Sequence, residues 1–160
     1  MNITILGGGA YGQALANCFI DNNNNITIWN KFEHELENIR KKYLNINLTT
    51  NIEQAINTAD LIVIAIPIPF IETTIIELQN NYQGQNILIA SKGIDTKSQK
   101  FAFEIIKNHL PNAKIGIISG GTFAEDMNKK VVMGLTLATT EPTIKEKIKQ
   151  HLANRYLKIQ

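Results

Sequence analysis

Met1-Asn-Ile-Thr-Ile-Leu-Gly7-Gly8-Gly9-Ala10-Tyr11-Gly12-Gln13-Ala14-Leu15 opens the chain. A short apolar strand runs into G-x-G-x-x-G, and an amphipathic helix follows. Phosphate chemistry accounts for all three parts. Gly7 permits the tight strand-to-helix turn, Gly9 leaves the backbone open to a pyrophosphate, and Gly12 lets the helix pack closely on the strand. The first N–H groups of the helix have no partner within it, and the helix dipole favours an anion there. The motif is weak in isolation and strong between an N-terminal strand and a helix.

Working outward, strands and helices alternate. Strands are expected at Ile3–Leu6, Ile26–Trp29, Leu61–Ile66, Asn86–Ala90, Lys114–Ser119, Val131–Ala138 and Tyr156–Ile159. Leu61–Ile66 is wholly apolar, as a strand covered on both faces should be. Helices are expected at Tyr11–Ile20, Glu33–Lys42 and Pro142–Leu152, with a short one from about Phe123. Thr50 and Glu53 have capping-box spacing and open a short helix to Asn57. Pro69 suits the first turn of a helix to about Gln79, and Thr96 with Gln99 caps one that ends near Leu110. The pattern specifies an α/β fold: a Rossmann-type, doubly wound, mostly parallel sheet in a single domain over residues 1–160. Ligands in such sheets bind beyond the carboxyl ends of the strands.

Composition narrows the function classes. At 160 residues, 44% hydrophobic and 19% charged, the chain can bury a core of its own. A net charge of +2 does not point to nucleic acid. The one cysteine, Cys18, excludes an internal disulfide and reads as a small core residue, so a reducing cytoplasm is the expected compartment. No apolar stretch is long enough for membrane insertion. The Asn22–Asn25 run falls where a helix turns into the next strand and reads as coding bias. His34, His109 and His151 are scattered without metal spacing, so no metal is expected.

The candidate site residues follow the strands. After strand 2 stands Trp29-Asn30-Lys31-Phe32-Glu33, with no acid at the usual ribose position. Asn30 can bond a ribose hydroxyl, and Lys31 can pair with a 2′-phosphate or simply be solvated; NAD and NADP both stay open. Phe70, after Ala65-Ile66-Pro67-Ile68-Pro69, can shield a nicotinamide, although a core aromatic at a helix start explains it better. Lys92, in Ser91-Lys92-Gly93, lies near the cofactor mouth, where an ammonium binds phosphate or polarises a carbonyl. Ser119-Gly120-Gly121-Thr122-Phe123-Ala124 offers a second anion or carbonyl site, and Thr122 can equally be an ordinary N-cap.

Together these pieces resemble the N-terminal domain of the bacterial-type NAD(P)-dependent glycerol-3-phosphate dehydrogenases. The resemblance is carried by Gly7–Gly12 with Tyr11, Trp29-Asn30-Lys31, Pro67 to Phe70, Ser91-Lys92-Gly93 and Ser119 to Ala124. It implies that Ala10 and Tyr11 line the pyrophosphate loop, Lys31 lies near the adenosine, and Phe70 and Ala124 contact the cofactor. Lys92 would touch cofactor and substrate, with Gly120 and Thr122 in the substrate site. The implied reaction is hydride transfer between NAD or NADP and dihydroxyacetone phosphate/glycerol 3-phosphate, a phospholipid precursor.

Gly121 departs from the family's usual proline, Gln13 from its Thr or Ser, and Asn22–Asn25 from a small-residue turn. The resemblance also implies a helical C-terminal domain carrying the main proton-transfer lysine. Leu157-Lys158-Ile159-Gln160 lies about where the first domain ends, and its Leu-Lys lacks the glycine-rich context of that motif. The expectation is a cofactor-binding half, from a longer or split gene, on which Lys92 alone would polarise a ketone. A stand-alone NAD(P)-binding module is the alternative, followed by a two-domain reductase such as ketopantoate reductase, which the S-K-G and S-G-G-T-F-A pair disfavours. A domain of this kind should expose an apolar patch near the strand carboxyl ends, suited to a helical domain or to homodimerisation.

Overall fold

The computed structural model describes residues 1–160. Its strands are β1 (Asn2–Leu6), β2 (Asn25–Trp29), β3 (Asn47–Thr49), β4 (Leu61–Ile64), β5 (Asn86–Ile89), β6 (Ile115–Ser119), β7 (Met133–Ala138) and β8 (Leu157–Ile159). Its helices are α1 (Ala10–Ile20), α2 (Glu33–Lys42), α3 (Ile52–Ile56), α4 (Ile71–Leu78), α5 (Ala102–His109), α6 (Ala124–Asn128) and α7 (Pro142–Leu152). The eight strands form one sheet in the order β3-β2-β1-β4-β5-β6-β7-β8. The first six are mutually parallel. β7 pairs antiparallel with β6, and β8 runs parallel to β7.

Alternation along the strands feeds two cores. Ile3 and Ile5 of β1 join a cluster of 23 buried residues that includes Leu15 and Phe19 of α1, Ile39 of α2 and Ile148 of α7. Leu6 of β1 joins a second cluster of 21, built with Ile56 of α3, Ile75 of α4 and Ile106 of α5. The near-equal clusters leave the central strands no solvent-facing side, which explains why all four residues of β4 are apolar and buried. Thr4 enters the second face without penalty because its hydroxyl donates to the Ala55 carbonyl. No helix is long and apolar enough to cross a membrane.

Several local expectations shift. β3 is an edge strand of three residues that no sequence periodicity marked. The N-cap of α3 is Asn51, whose side chain accepts from the Gln54 N–H at 2.9 Å, rather than Thr50. The Ile68–Phe70 segment is a 3-10 turn, and α4 begins after it. Residues 94–101 form a loop closed by an Ile94–Phe101 bridge, so Thr96 and Gln99 cap nothing. The turn before α6 places Phe123, not Thr122, at the N-cap.

Asn22–Asn25 has a structural use beyond composition. Asn22 donates to the carbonyls of His151 and Ala153, each at 2.9 Å, and Asn24 donates to the His151 carbonyl at 3.1 Å. Those carbonyls lie at the end of α7, where a helix has no internal donors left. The turn after α1 thereby holds the C-terminal end of α7.

Candidate functional site

The carboxyl ends of β1, β2, β4, β5 and β6 surround a cavity of about 1010 Å³. Sites for small molecules and cofactors occupy about 300–1,000 Å³, so this one suits an extended ligand. Of the expected residues, Gly7, Gly9, Ala10, Tyr11, Asn30, Lys31, Phe70, Lys92, Thr122 and Ala124 all line it. Gly12 and Gly120 do not, and both serve packing. A methyl group on Gly12 would sit 1.9 Å from the Gly7 carbonyl oxygen, and one on Gly120 would sit 2.9 Å from that of Gly134.

The glycine loop is held from both sides. Gly7 adopts φ +108° and donates its N–H to the Trp29 carbonyl at 2.9 Å. The next residue, Gly8, is bracketed by two amides: its N–H donates to Asn30 Oδ1, and its carbonyl accepts from Gln13 Nε2 at 2.8 Å. Asn30 therefore turns its carbonyl oxygen to the loop, and its Nδ2 donates to Glu35 Oε2 at 3.0 Å. Gln13 fixes the same loop that Asn30 does. A methyl group on Gly9 would meet nothing within 4 Å, so the loop's backbone stands open to the cavity. That opening, beside the N-terminus of an 11-residue helix, fits the pyrophosphate of a dinucleotide.

Lys92 joins the other end of the cavity together. Its ammonium donates to the Thr122 carbonyl at 3.2 Å and to that of Gly120 at 3.5 Å, and it lies 4.9 Å from the centre of the Tyr11 ring. Tyr11 Oη in turn lies 3.5 Å from Thr122 Oγ1. Burial pushes the Tyr11 phenol above its ordinary pKa against the opposing effect of the Thr122 hydrogen bond, so the hydroxyl is protonated at neutral pH. Residues from the glycine loop, the β5 turn and the β6 turn thus meet around one cation. Ser91 fixes this turn by donating to the Ile66 carbonyl at 2.6 Å and that of Ile64 at 3.2 Å. A carbonyl or phosphate oxygen entering here would find an ammonium held by neutral groups, free of any carboxylate partner.

At the β2 end the sequence reading missed two acids. Glu35, in the first turn of α2, and Glu77, on α4, both line the cavity. Lys31 Nζ lies 2.6 Å from Glu77 Oε2. Glu35 carried the signal of an ordinary helix-start acid, and Glu77 followed no motif at all.

Around the mouth, apolar side chains stand in solvent: Phe70 is 60% exposed, Phe123 71% and Val132 69%. Val132 directly precedes β7, whose first residues flank the carboxyl end of β6. These three are exposed apolar side chains in the region where a patch is expected.

A family model described as the NAD-dependent glycerol-3-phosphate dehydrogenase N-terminus matches residues 2–145. The glycerol-3-phosphate dehydrogenase (NAD(P)+) of Ehrlichia chaffeensis is 30% identical, over 99% of this chain and 54% of its own length. That of Acinetobacter baumannii strain SDF is 25% identical over 99% of this chain and 48% of its own length. The chain thus spans about half the length of these relatives. A crystal structure of glycerol-3-phosphate dehydrogenase from Coxiella burnetii superposes with a TM-score of 0.91 at 16% identity, covering 99% of this chain and 52% of that one. A pyrroline-5-carboxylate reductase from the same organism reaches 0.73 at 19% identity, covering 99% and 58%. The solved structures share the fold, and the family model with its residue span decides the relationship. This chain belongs to the NAD-dependent glycerol-3-phosphate dehydrogenase N-terminal family.

Proposed function

We propose that this chain is the nucleotide-binding half of a glycerol-3-phosphate dehydrogenase. It holds NAD or NADP along the strand ends and presents Lys92 to dihydroxyacetone phosphate or glycerol 3-phosphate. The observation that carries this reading is the position of the Lys92 ammonium, bonded to the Thr122 carbonyl and over the Tyr11 ring, in the same cavity as the open glycine loop.

The nicotinamide, when bound, supplies or accepts the hydride. The remaining work falls to the chain's own side chains. The α1 N-terminus and the backbone at Gly9 and Ala10 receive the pyrophosphate. Phe70 and Ala124 wall the cavity beside the cofactor. Lys92 draws the ketone oxygen and stabilises the charge that develops there. Thr122 walls the substrate's place, and the Gly120 carbonyl reaches it only by helping to hold the Lys92 ammonium.

A second reading, binding without turnover, has its own support. The charged residues that line the cavity are Lys31, Glu35, Glu77 and Lys92, and of these only Lys92 groups with Tyr11 and Thr122. An alkoxide forming there needs a proton, and Lys92 would have to both polarise the ketone and deliver it. A helical domain or a second copy of the chain, docked on Phe70, Phe123 and Val132, would complete the site. The buried thiol of Cys18 suits the cytoplasm, and the product suits phospholipid synthesis.

Titration with NADH and NADPH, followed by assay with dihydroxyacetone phosphate, tests the proposal. The expected result is nucleotide binding, with any turnover lost in Lys92→Ala while NADH affinity changes by less than about threefold. Binding without turnover that a supplied helical domain converts to turnover keeps the first reading, and binding that stays without turnover assigns the second. Failure to bind either nucleotide overturns both.

A further inference from the structure

The charged groups at the β2 end of the cavity form a set with a consequence for nucleotide choice. Three of the cavity's four charged lining residues, Lys31, Glu35 and Glu77, gather by the turn after β2, and the fourth, Lys92, is at the opposite end with Tyr11 and Thr122. In a Rossmann fold the turn after β2 faces the adenosine ribose. The two residues of this turn that could greet a 2′-phosphate are both engaged by carboxylates. Lys31 pairs with Glu77 at 2.6 Å, and Asn30 donates to Glu35 at 3.0 Å.

On the nucleotide-binding reading above, we infer that this subsite selects NAD(H) over NADP(H). Glu35 is the acceptor for the adenosine ribose hydroxyls, and Glu77 enforces the choice by holding Lys31. Ribose hydroxyls are donors, and a carboxylate with a free oxygen accepts from them. Glu35 has one, because Asn30 Nδ2 takes only Oε2. A 2′-phosphate is an acceptor carrying about two negative charges, and it would approach two carboxylates and one lysine already neutralised. Turning Lys31 toward the phosphate breaks its pair and leaves Glu77 facing like charge. The selection is therefore chiefly rejection of the wrong nucleotide, by repulsion rather than by shape. Asn30 contributes as a positioning residue: it links Glu35 to the Gly8 N–H, so the ribose acceptor and the pyrophosphate loop are set by one side chain.

The test is titration of the 160-residue chain with NADH and NADPH, read by nicotinamide fluorescence at low and moderate salt. Wild type should bind NADH about tenfold more tightly than NADPH, and the gap should narrow as salt rises. Glu77→Gln frees Lys31 and should tighten NADPH about tenfold, with NADH moved by less than about twofold. Adding Lys31→Ala to that variant should remove the gain. Glu35→Ala should weaken NADH by about fivefold and leave NADPH no weaker, since it removes an acceptor for the hydroxyls and a charge that repels the phosphate. All three side chains lie at the cavity wall, and circular dichroism checks that each variant keeps its fold. Equal or tighter NADPH binding by wild type, or a Glu77→Gln change that moves both nucleotides alike, overturns the inference while leaving nucleotide binding intact. Binding of neither nucleotide overturns the nucleotide reading, and this inference falls with it.

Discussion

Gly9 and Gly12 lie three residues apart, one before α1 and one inside it, and a methyl group has opposite consequences at each. On Gly12 it would lie 1.9 Å from the Gly7 carbonyl oxygen, a backbone atom of a tight turn whose N–H is tied to the Trp29 carbonyl. Alanine ordinarily favours a helix over glycine, by about 1 kcal/mol. Here Gly12→Ala should instead destabilise by about 3 kcal/mol or more. On Gly9 the methyl would meet nothing within 4 Å. Gly9→Ala should leave denaturant stability within about 0.5 kcal/mol of wild type and weaken NADH about tenfold or more, because the added carbon occupies the pyrophosphate's approach. Chemical unfolding and nucleotide titration on the pair separate the two roles; parallel losses in both variants would refute the division. The glycine loop and Lys92 were legible because each follows a strand in a recognisable order. Glu35 and Glu77 were not, since they come from two different helices and meet this site only through the winding of the sheet. Asn30 was legible in place but not in use, because its amide turns to Gly8 and Glu35.

Among the elements, agreement was closest where a physical stop signal stood at each boundary. α7 runs from Pro142, whose fixed φ suits a first turn, through Ile144, Ile148 and Leu152 on one buried face. Capping by spacing alone misled. Thr96 and Gln99 imitate a capping box, but Asp95 takes both the N–H and the hydroxyl of Ser98, each at 2.7 Å. Gln99 adopts φ +56°, and α5 starts only at Ala102, where Glu104 accepts from the Phe101 N–H at 2.9 Å. At α3 the same error can be measured. Asn51→Ala removes the bond to the Gln54 N–H and should cost about 1 kcal/mol, whereas Thr50→Ala, whose side chain caps nothing, should stay within about 0.5 kcal/mol. Comparable losses from both, read by urea unfolding, would restore Thr50 as a cap. β3 escaped detection because three half-exposed residues carry too little periodicity, and only their pairing with β2 makes them a strand.

At the scale of the whole molecule, the sheet changes direction once. The short α6 returns the chain without crossing the sheet, so β7 enters beside the carboxyl end of β6 and runs against it. α7 then carries the chain to β8, parallel to β7. Alternation in sequence announces the helices and strands but holds no signal for that reversal. The seam that joins this late unit to the first helix includes the Asn22 and Asn24 bonds to His151 and Ala153, the Asn17–Asn128 bond at 2.8 Å and the Lys130–Asp21 pair at 2.9 Å. His151 makes the seam sensitive to acid. Burial lowers its pKa below the ordinary histidine value, aided by the chain's amino terminus and Lys147 and opposed by Asp60. Its Nδ1 lies 2.8 Å from Asn24 Oδ1, so the ring is part of the same clamp. A histidine held neutral in the fold titrates first in the unfolded chain. Its contribution is complete above the ordinary pKa near 6.5 and declines as pH falls through that value toward its lower folded pKa. Tm should therefore drop between neutral pH and pH of about 5.5, and His151→Gln, which retains an amide to bond Asn24, should flatten that drop. His34 and His109 are the same in both proteins, so the difference between the two pH profiles isolates the clamp. Superimposable profiles would mean that the seam holds equally well with a charged imidazole and that His151 is no acid-sensitive part of it.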